Sequence, residues 1–163
     1  MFYLRKNYST HLPLLMKMVL GTGGPVLEFG AGVFSTPVLH WLCSENRREL
    51  VTYENDLECY KFAKQFRSRN HKIVFVKDWG EISLDKHWSV VLIDHGPLLR
   101  RSVDAIRFKN NADFIVLHDT EEKSEPYYNY DSVWPHFKFR YDHELANPRT
   151  TVVSNFKDPR EIF

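Results

Sequence analysis

The sequence predicts an α/β fold in which helices cover both faces of a mostly parallel sheet. Segments with strand character alternate with segments of helical periodicity over most of the chain, and this alternation is typical of parallel strands joined by right-handed crossovers. The pattern changes near the end, where the strand-like segments 137–141 and 150–154 are joined by a turn containing Asn147 and Pro148. Such a short connection makes the two strands antiparallel neighbours. We therefore expect the sheet to finish in an antiparallel strand pair.

The composition indicates one packed domain that spans residues 1–163. Of the 163 residues, 43% are hydrophobic and 15% are aromatic, which suffices for a single core. The 22 Lys and Arg residues balance 21 Asp and Glu residues, so no general positive field favours nucleic acid or an acidic membrane. Cys43 and Cys59 fall in predicted helices without metal ligands at a useful spacing, and we expect both to be buried free thiols.

The apolar segments and the start of the chain indicate a cytoplasmic protein. No apolar stretch approaches the roughly 20 residues of a membrane span. The N-terminus carries Arg5 and Lys6 and lacks the apolar core of a signal peptide. We expect a cytoplasmic location and no membrane partner.

A ligand pocket is predicted around residues 24–36. Val26 and Leu27 form a short buried strand, residues 28–32 form a glycine turn, and a helix begins at Ser35 or Thr36, either of which can cap it. The glycines allow the backbone to approach a ligand closely, and the first N–H groups of the helix point into the gap. A strand, a glycine turn and a helix N-terminus together make a pocket of nucleotide size.

The other helices and strands follow in a regular order. An apolar stripe over residues 8–20 predicts a helix that begins at Ser9 or Thr10, and the segment 1–23 is expected to cover one side of the pocket. The later elements are a strand at 49–56, a helix at 57–69, strands at 71–77 and 88–94, a helix at 100–108, a strand at 112–119 and a short helix at 130–134. The continuous apolar run at 88–94 is typical of a strand buried on both faces of a sheet.

Polar side chains follow each of the first five predicted strands. These residues are Glu28, Glu54, Asp78, Asp94 with His95, and His118 with Asp119. In open α/β sheets, ligands bind outside the carboxyl ends of the strands. Five polar ends in succession therefore predict one ligand site along this edge of the sheet.

The spacing of these residues favours a ligand that contains adenosine. Glu54 lies 22 positions after Gly32, and an acid at about that separation commonly binds both hydroxyls of a ribose, with Asn55 as a neighbour that can assist. Asp78 and Trp79 fit an adenine site, in which the carboxylate accepts from the exocyclic amine and the indole packs on the ring. Ordinary core packing is an equally good interpretation of Trp79.

Glu28 distinguishes between two adenosine ligands. A carboxylate beside the glycine turn would repel the pyrophosphate of a nicotinamide dinucleotide, and Ser35 stands where the third glycine of a dinucleotide motif is expected. S-adenosylmethionine has a cationic ammonium group and no phosphate, so it suits this turn better. A nicotinamide-dependent oxidoreductase and a catalytically silent adenosine-binding module are the alternatives.

The ordered motifs resemble those of the class I S-adenosylmethionine-dependent methyltransferases. The resemblance covers roughly residues 24–155 and rests on Glu28-Phe29-Gly30-Ala31-Gly32, Glu54, Asp78-Trp79 and Asp94. It implies a Rossmann-like three-layer αβα sandwich with a seven-stranded sheet, and S-adenosylmethionine as the cofactor. The expected cofactor-binding residues are Glu28, Gly30, Ala31, Gly32, Ser35, Thr36, Glu54, Asn55, Asp78, Trp79 and Asp94.

Catalytic residues are expected after the fourth and fifth strands. Asp94, His95, His118 and Asp119 lie where the transferred methyl group would emerge. Either histidine can act as a base, because imidazole titrates near neutral pH, or can instead hold a loop. Asp94 and Asp119 also resemble the acidic positions of magnesium-dependent catechol-type O-methyltransferases. Thr120 stands where those enzymes have Asn, so a Mg²⁺ ion is left open.

Because no inserted cap domain is available, the acceptor site is expected to come from the N-terminal helix and the loops after the fourth and fifth strands. Such a site fits either a small acceptor or an accessible group on a larger partner. Its candidate residues are His11 in the N-terminal helix, Arg101 after the fourth strand and Tyr127 after the fifth. We expect a methyltransferase that acts on an oxygen atom of a small-molecule acceptor, without a nucleic-acid partner. A homodimer through the aromatic cluster at 127–130 is left open.

Overall fold

A computed structural model describes residues 6–163, with side chains from Tyr8 onward. Residues 1–5, which begin the segment expected to cover the pocket and include Arg5, lie outside this range. The protein has one seven-stranded sheet with the strand order β3-β2-β1-β4-β5-β7-β6. The strands are β1 (Val26–Phe29), β2 (Leu50–Glu54), β3 (His71–Phe75), β4 (Trp88–Ile93), β5 (Ala112–His118), β6 (Phe139–His143) and β7 (Thr150–Ser154).

The first five strands are parallel and the last two are antiparallel. β7 lies between β5 and β6 and runs antiparallel to both, so β6 forms the edge of the sheet. β1 pairs with β2 and β4 in the middle of the sheet. The predicted α/β class, the parallel sheet and its antiparallel ending are confirmed.

Residues 6–163 contain five α-helices, one before the first strand and four between strands. They are α1 (Leu12–Leu20), α2 (Ser35–Glu45), α3 (Leu57–Ala63), α4 (Arg100–Arg107) and α5 (Glu125–Tyr128). The helix predicted at 57–69 is shorter in the structure, because the α-helix ends at Ala63 and continues as one 3-10 turn to Phe66. The short helix predicted at 130–134 is instead two 3-10 turns, at 130–132 and 134–136. Helix α5 was not predicted.

The helix starts differ from the expected caps. α1 begins at Leu12, after His11, and Ser9 lies in a preceding 3-10 turn. Pro13 occupies its first turn, where the missing N–H costs no helical hydrogen bond. α2 begins at Ser35 without a side-chain cap on the preceding residue. The hydroxyl of Thr36 serves the turn instead, as described below.

The core has two layers, one on each face of the sheet. Successive residues of a strand point to opposite faces. Leu27 and Phe29 therefore pack in the layer that contains α4, whereas Val26 packs in the layer that contains α1 and α2. All six residues of β4 are buried, as the continuous apolar run predicted. The three-layer arrangement is therefore confirmed.

Two expectations concern the thiols and the membrane. Cys43 and Cys59 are both free, Cys43 buried and Cys59 half-buried. Burial raises the pKa of each thiol, that of Cys43 to about 11. Over residues 6–163, no helix combines the length and apolar character needed to cross a bilayer.

Candidate functional site

The first strand continues to Phe29, two residues beyond its predicted end, so the glycine turn begins at Gly30. Its φ of 89° lies in a region that favours glycine. A Cβ at this position would lie 2.7 Å from the carbonyl oxygen of Asp94 and 2.8 Å from the Cα of His95. Both atoms belong to the backbone and cannot rotate away. Gly30 therefore allows the turn after β1 to lie directly against the end of β4.

Glu28 lies beneath this turn and is completely buried. Its carboxyl group accepts hydrogen bonds from the hydroxyls of Thr36, at 3.0 and 3.1 Å, and Thr52, at 2.6 Å. The Thr36 oxygen in turn accepts from the backbone N–H of Gly32 at 3.0 Å. Burial raises the pKa of Glu28 to about 7, although the surrounding hydroxyls oppose that shift. The structure thus places Glu28 as the residue that ties the turn to α2 and β2, with no surface exposed to a ligand.

Glu54 ends β2 and is bonded to the same turn. Its carboxylate accepts from three backbone N–H groups, those of Ala31 at 2.6 Å, Asn55 at 2.7 Å and Asp56 at 2.6 Å. Burial raises the pKa of Glu54, and the three N–H groups partly offset this. Since a carboxylate has about four lone-pair sites, roughly one remains for a ligand hydroxyl.

Trp79 and His95 lie in the core behind the glycine turn. The Trp79 indole stacks on Phe29 at 5.6 Å between ring centroids, and its N–H donates to the carbonyl of Gly96. The His95 ring lies 4.1 Å from Trp79, and its Nε2 is 3.1 Å from a carboxylate oxygen of Asp104. Trp79 therefore packs in the core. His95 points away from the edge of the sheet at which a methyl group would emerge.

Asp78 is separated from these core residues. It precedes the 3-10 turn at 79–81, and its side chain accepts from the N–H of Gly80 at 2.8 Å. The side chain is exposed to solvent. Asp78 therefore stabilises its own turn and remains accessible at the end of β3.

A cavity of about 350 Å³ opens where the ends of β1, β4 and β5 meet. We call it the β1–β4–β5 cavity. It is lined by Tyr8, His11, Gly32, Val33, Phe34, Ser35, Asp94, Arg101, His118, Asp119, Tyr128 and Pro148. Three of the four expected catalytic residues line it, all except His95. His11 and Arg101, two of the three expected acceptor-site residues, line it as well.

Other lining residues were not predicted. Tyr127 is 60% exposed and is absent from the lining, whereas its neighbour Tyr128 contributes to it. The apolar Val33 and Phe34 follow the glycine turn directly, so a closer interpretation of that turn would have found them. Tyr8 and Pro148 reach the cavity from opposite ends of the chain. No local pattern in the sequence indicates that either residue lines it.

Arg101 forms the charged centre of the cavity. Its guanidinium group is 2.9 Å from Asp94 Oδ1 and 3.1 Å from Asp119 Oδ2, and its Nε donates to the carbonyl of His95. It lies 4.7 Å from the ring of Tyr128, whose hydroxyl also donates to Asp119. Burial alone would raise the pKa of Asp94, but Arg101 and the neighbouring histidine hold it well below its usual range. Two carboxylates thus face one guanidinium, which leaves a net negative charge.

This arrangement bears on the Mg²⁺ ion that the sequence left open. The guanidinium of Arg101 bridges Asp94 and Asp119, the two proposed ligands. The space between these carboxylates therefore already holds a cation. The geometry does not support a magnesium ion held by this pair.

His118 and His11 face each other across the cavity, with ring centroids 4.7 Å apart. His118 Nδ1 is 3.4 Å from Asp94 Oδ2, and its Nε2 is 2.9 Å from the hydroxyl of Thr10. Burial alone would lower the pKa of His118, but the neighbouring Asp94 outweighs that effect, so the net shift is upward. Burial lowers the pKa of His11 to about 4. Neither ring nitrogen of His11 has a hydrogen-bond partner among the described residues.

Solved structures show which fold this is. No protein-family model and no curated protein sequence matches the chain. The N-terminal domain of human METTL16 in complex with SAH is similar at a TM-score of 0.63 and 12% identity, over 95% of this chain and 73% of that one. A methyltransferase from Pyrococcus furiosus is similar at a TM-score of 0.61 and 13% identity, over 96% and 89%. Spermidine synthase in complex with the transition-state analogue AdoDATO reaches 0.68 and 14%, over 96% of this chain but 62% of that one.

One further structure corrects an expectation about partners. The catalytic domain of human METTL16 is solved in complex with the MAT2A 3′UTR hairpin 1, and it matches this chain at a TM-score of 0.63 and 11% identity, over 91% of this chain and 70% of that one. The expectation of a small-molecule acceptor with no nucleic-acid partner is therefore wrong as stated. A balanced total charge describes the whole surface and says nothing about the charge along one edge of the sheet.

Proposed function

We propose that this chain, which has the fold of the class I S-adenosylmethionine-dependent methyltransferases, binds S-adenosylmethionine and transfers its methyl group to an acceptor in the β1–β4–β5 cavity. The observation that carries the proposal is the junction of the Gly30–Gly32 turn with a cavity that contains Asp94 and His118. In this proposal residues 1–163 form one methyltransferase domain, and the segment 1–23 covers the cavity, which Tyr8 and His11 help to line.

The charge of the cavity supports S-adenosylmethionine over a dinucleotide. Asp94 stays ionised, and while His118 is neutral, as a base must be, Asp94 and Asp119 together outweigh the single positive charge of Arg101. A net negative site attracts the sulfonium and ammonium groups of S-adenosylmethionine and repels a pyrophosphate. Glu28 does not supply this attraction, because its carboxyl group is buried beneath the turn.

The adenosine part of the ligand is assigned to the ends of β2 and β3. We place its ribose at Glu54 and Asn55, using the lone pair of Glu54 that the backbone leaves unused. We place the adenine beside the exposed Asp78, with Trp79 supporting that loop from the core. Gly30, Ala31, Gly32, Ser35 and Thr36 would shape the methionine site, with Glu28 holding them in position.

The proposed reaction is a direct displacement at the sulfonium carbon. Most of its catalysis comes from holding the donor and acceptor in line. His118 is the base that takes the acceptor's proton on Nδ1, its Nε2–H being held by Thr10, and Asp94 Oδ2, 3.4 Å from Nδ1, stabilises the imidazolium that forms. Because a hydroxyl must lose its proton when it is methylated, the presence of this base favours oxygen as the methylated atom.

Replacing Glu54 by Gln is expected to weaken the binding of S-adenosylhomocysteine about tenfold. The substitution removes the negative charge that accepts from the ribose hydroxyl and keeps the size of the side chain. Isothermal titration calorimetry measures the affinity. The control is Glu58→Gln, a change at an exposed residue of α3, which should leave the affinity unchanged.

Two results of the same titration would contradict the proposal. Equal affinities of wild type and Glu54→Gln would remove Glu54 from the ribose site. If the wild type binds NAD and not S-adenosylhomocysteine, the chain is a nicotinamide-dependent protein. Thermal melts of both variants establish that any loss of affinity occurs in folded protein.

Replacing His118 by Gln is expected to lower methyl transfer at least about 100-fold while the affinity for S-adenosylhomocysteine changes little. The assay supplies S-adenosylmethionine labelled in the methyl group to separate RNA, protein and metabolite fractions. Label that the wild type adds to one fraction, and the variant does not, identifies the acceptor class. Cofactor binding without label in any fraction would support a silent adenosine-binding module instead.

A further inference from the structure

We propose that His11, Asp94 and His118 form a binding site for a divalent transition-metal ion, with Zn²⁺ as the best match. Each of the three residues offers one ligand atom, and these atoms all lie within 4.8 Å of one another. They come from three elements that are distant in sequence, the start of α1 and the ends of β4 and β5. A bound ion would occupy the His118 nitrogen that the proposed base uses, so metal binding would compete with proton transfer, and it can be tested without S-adenosylmethionine.

His11 is the residue that points most clearly to a ligand. It is 2% exposed, and within the described part of the chain both of its ring nitrogens lack a hydrogen-bond partner. A buried polar group left without a hydrogen-bond partner destabilises the fold. A metal ion in the adjoining cavity would satisfy one of these nitrogens.

His118 and Asp94 leave a gap that a cation fits. When His118 carries its proton on Nε2, that nitrogen donates to Thr10 at 2.9 Å. Its Nδ1 and the Asp94 Oδ2 then face each other at 3.4 Å as two acceptors. A hydrogen bond from the second nitrogen of an imidazole is the usual way in which a metal-binding histidine is oriented. Thr10 therefore occupies the position of an outer-shell partner.

The donor types select the kind of ion. Two imidazoles and one carboxylate suit zinc and related transition metals, whereas magnesium prefers oxygen ligands. Zinc–ligand distances of about 2.0–2.1 Å correspond to donors about 3.3 Å apart in a tetrahedron. The donor atoms now lie within 4.8 Å of one another, so binding would require the side chains to move closer together. All three residues line the β1–β4–β5 cavity, from which a further ligand could complete the coordination.

The surrounding charges favour a cation. Arg101 contacts Asp94 through Oδ1, which leaves Oδ2 on the side of His118. Asp119 shares the same guanidinium. With both histidines neutral, the cluster carries one net negative charge, so it attracts a divalent ion, and a bound ion would compete with the positively charged groups of the proposed cofactor. Arg101 would hold Asp94 in place as a ligand and would neutralise part of the negative charge of the two carboxylates.

The test measures metal binding directly in the purified chain after treatment with a chelator and dialysis. Titration with Zn²⁺ should show one site per chain, and Co²⁺ should give the visible absorption of a low-symmetry, four-coordinate centre. The substitution His11→Phe should weaken Zn²⁺ binding at least about 100-fold and abolish the Co²⁺ spectrum. Zinc should also raise the thermal midpoint of the wild type and not that of the variant.

A matched control and a second variant complete the test. His136 is exposed and lies outside the cavity, so His136→Phe should bind Zn²⁺ like the wild type. His118→Gln should lose the site as His11→Phe does. The proposal is overturned if the wild type binds neither metal, or if His11→Phe and His118→Gln bind as tightly as the wild type. Since cofactor binding is measured separately, failure here leaves the methyltransferase proposal intact.

Discussion

Replacing Arg101 by Met is expected to lower the free energy of unfolding by about 3–5 kcal/mol. The guanidinium group is buried and holds Asp94 and Asp119 together, and its Nε bonds the His95 carbonyl. Methionine fills a similar volume but leaves two carboxylates facing each other without a positive charge. Urea denaturation near neutral pH measures the loss.

Two further variants separate the charge of Arg101 from its packing. Arg101→Lys keeps the charge and loses the fork that binds two carboxylates, so we expect an intermediate loss of stability. Adding Asp94→Asn to Arg101→Met should recover part of the loss, because one uncompensated carboxylate is removed. Arg69→Met, a change at an exposed site, is the control. A loss no larger for Arg101→Met than for this control would contradict the assigned role.

Replacing Glu28 by Gln is expected to change how stability depends on pH. The pKa of Glu28 rises from its ordinary value of 4.5 to about 7 in the folded chain, so the folded state retains this proton while the unfolded state has lost it. The favourable contribution of the neutral group is complete below pH 4.5 and is lost as the pH rises through about 7. Glutamine cannot ionise, so the variant should gain roughly 3 kcal/mol relative to the wild type between pH 4 and pH 8.

The measurement is a series of urea unfolding curves at several pH values in that range. Glu45→Gln, at an exposed position on α2, should follow the wild type throughout. Parallel pH profiles of wild type and Glu28→Gln would show that Glu28 is already ionised in the folded state. The hydrogen bonds from Thr36 and Thr52 would then compensate its burial completely.

The sequence predicted the strands and the edge of the sheet at which the site lies. Apolar runs define the buried strands, and a polar residue after each run marks its carboxyl end. Asp94, His118 and Asp119 therefore come together as expected, since β4 and β5 are parallel neighbours. Arg101 joins them as the second residue of α4, the helix that follows β4.

The directions of individual side chains were harder to predict. His95 follows Asp94 immediately, and adjacent extended residues point to opposite sides, so only one of the two faces the cavity. Tyr127 and Tyr128 belong to a helix of four residues, too short for its periodicity to be recognised. The hydrogen bond from the Ala31 N–H to the Glu54 carboxylate depends on how the ends of β1 and β2 meet in three dimensions. No local pattern in the sequence encodes that contact.

The close approach at Gly30 has a consequence for how this site can vary. Backbone atoms of Asp94 and His95 lie where a side chain at position 30 would begin, so main-chain contact sets the spacing between the glycine turn and the end of β4. The side chains that line the cavity take no part in that contact. They can be exchanged to admit a different acceptor while the turn keeps its distance from Asp94.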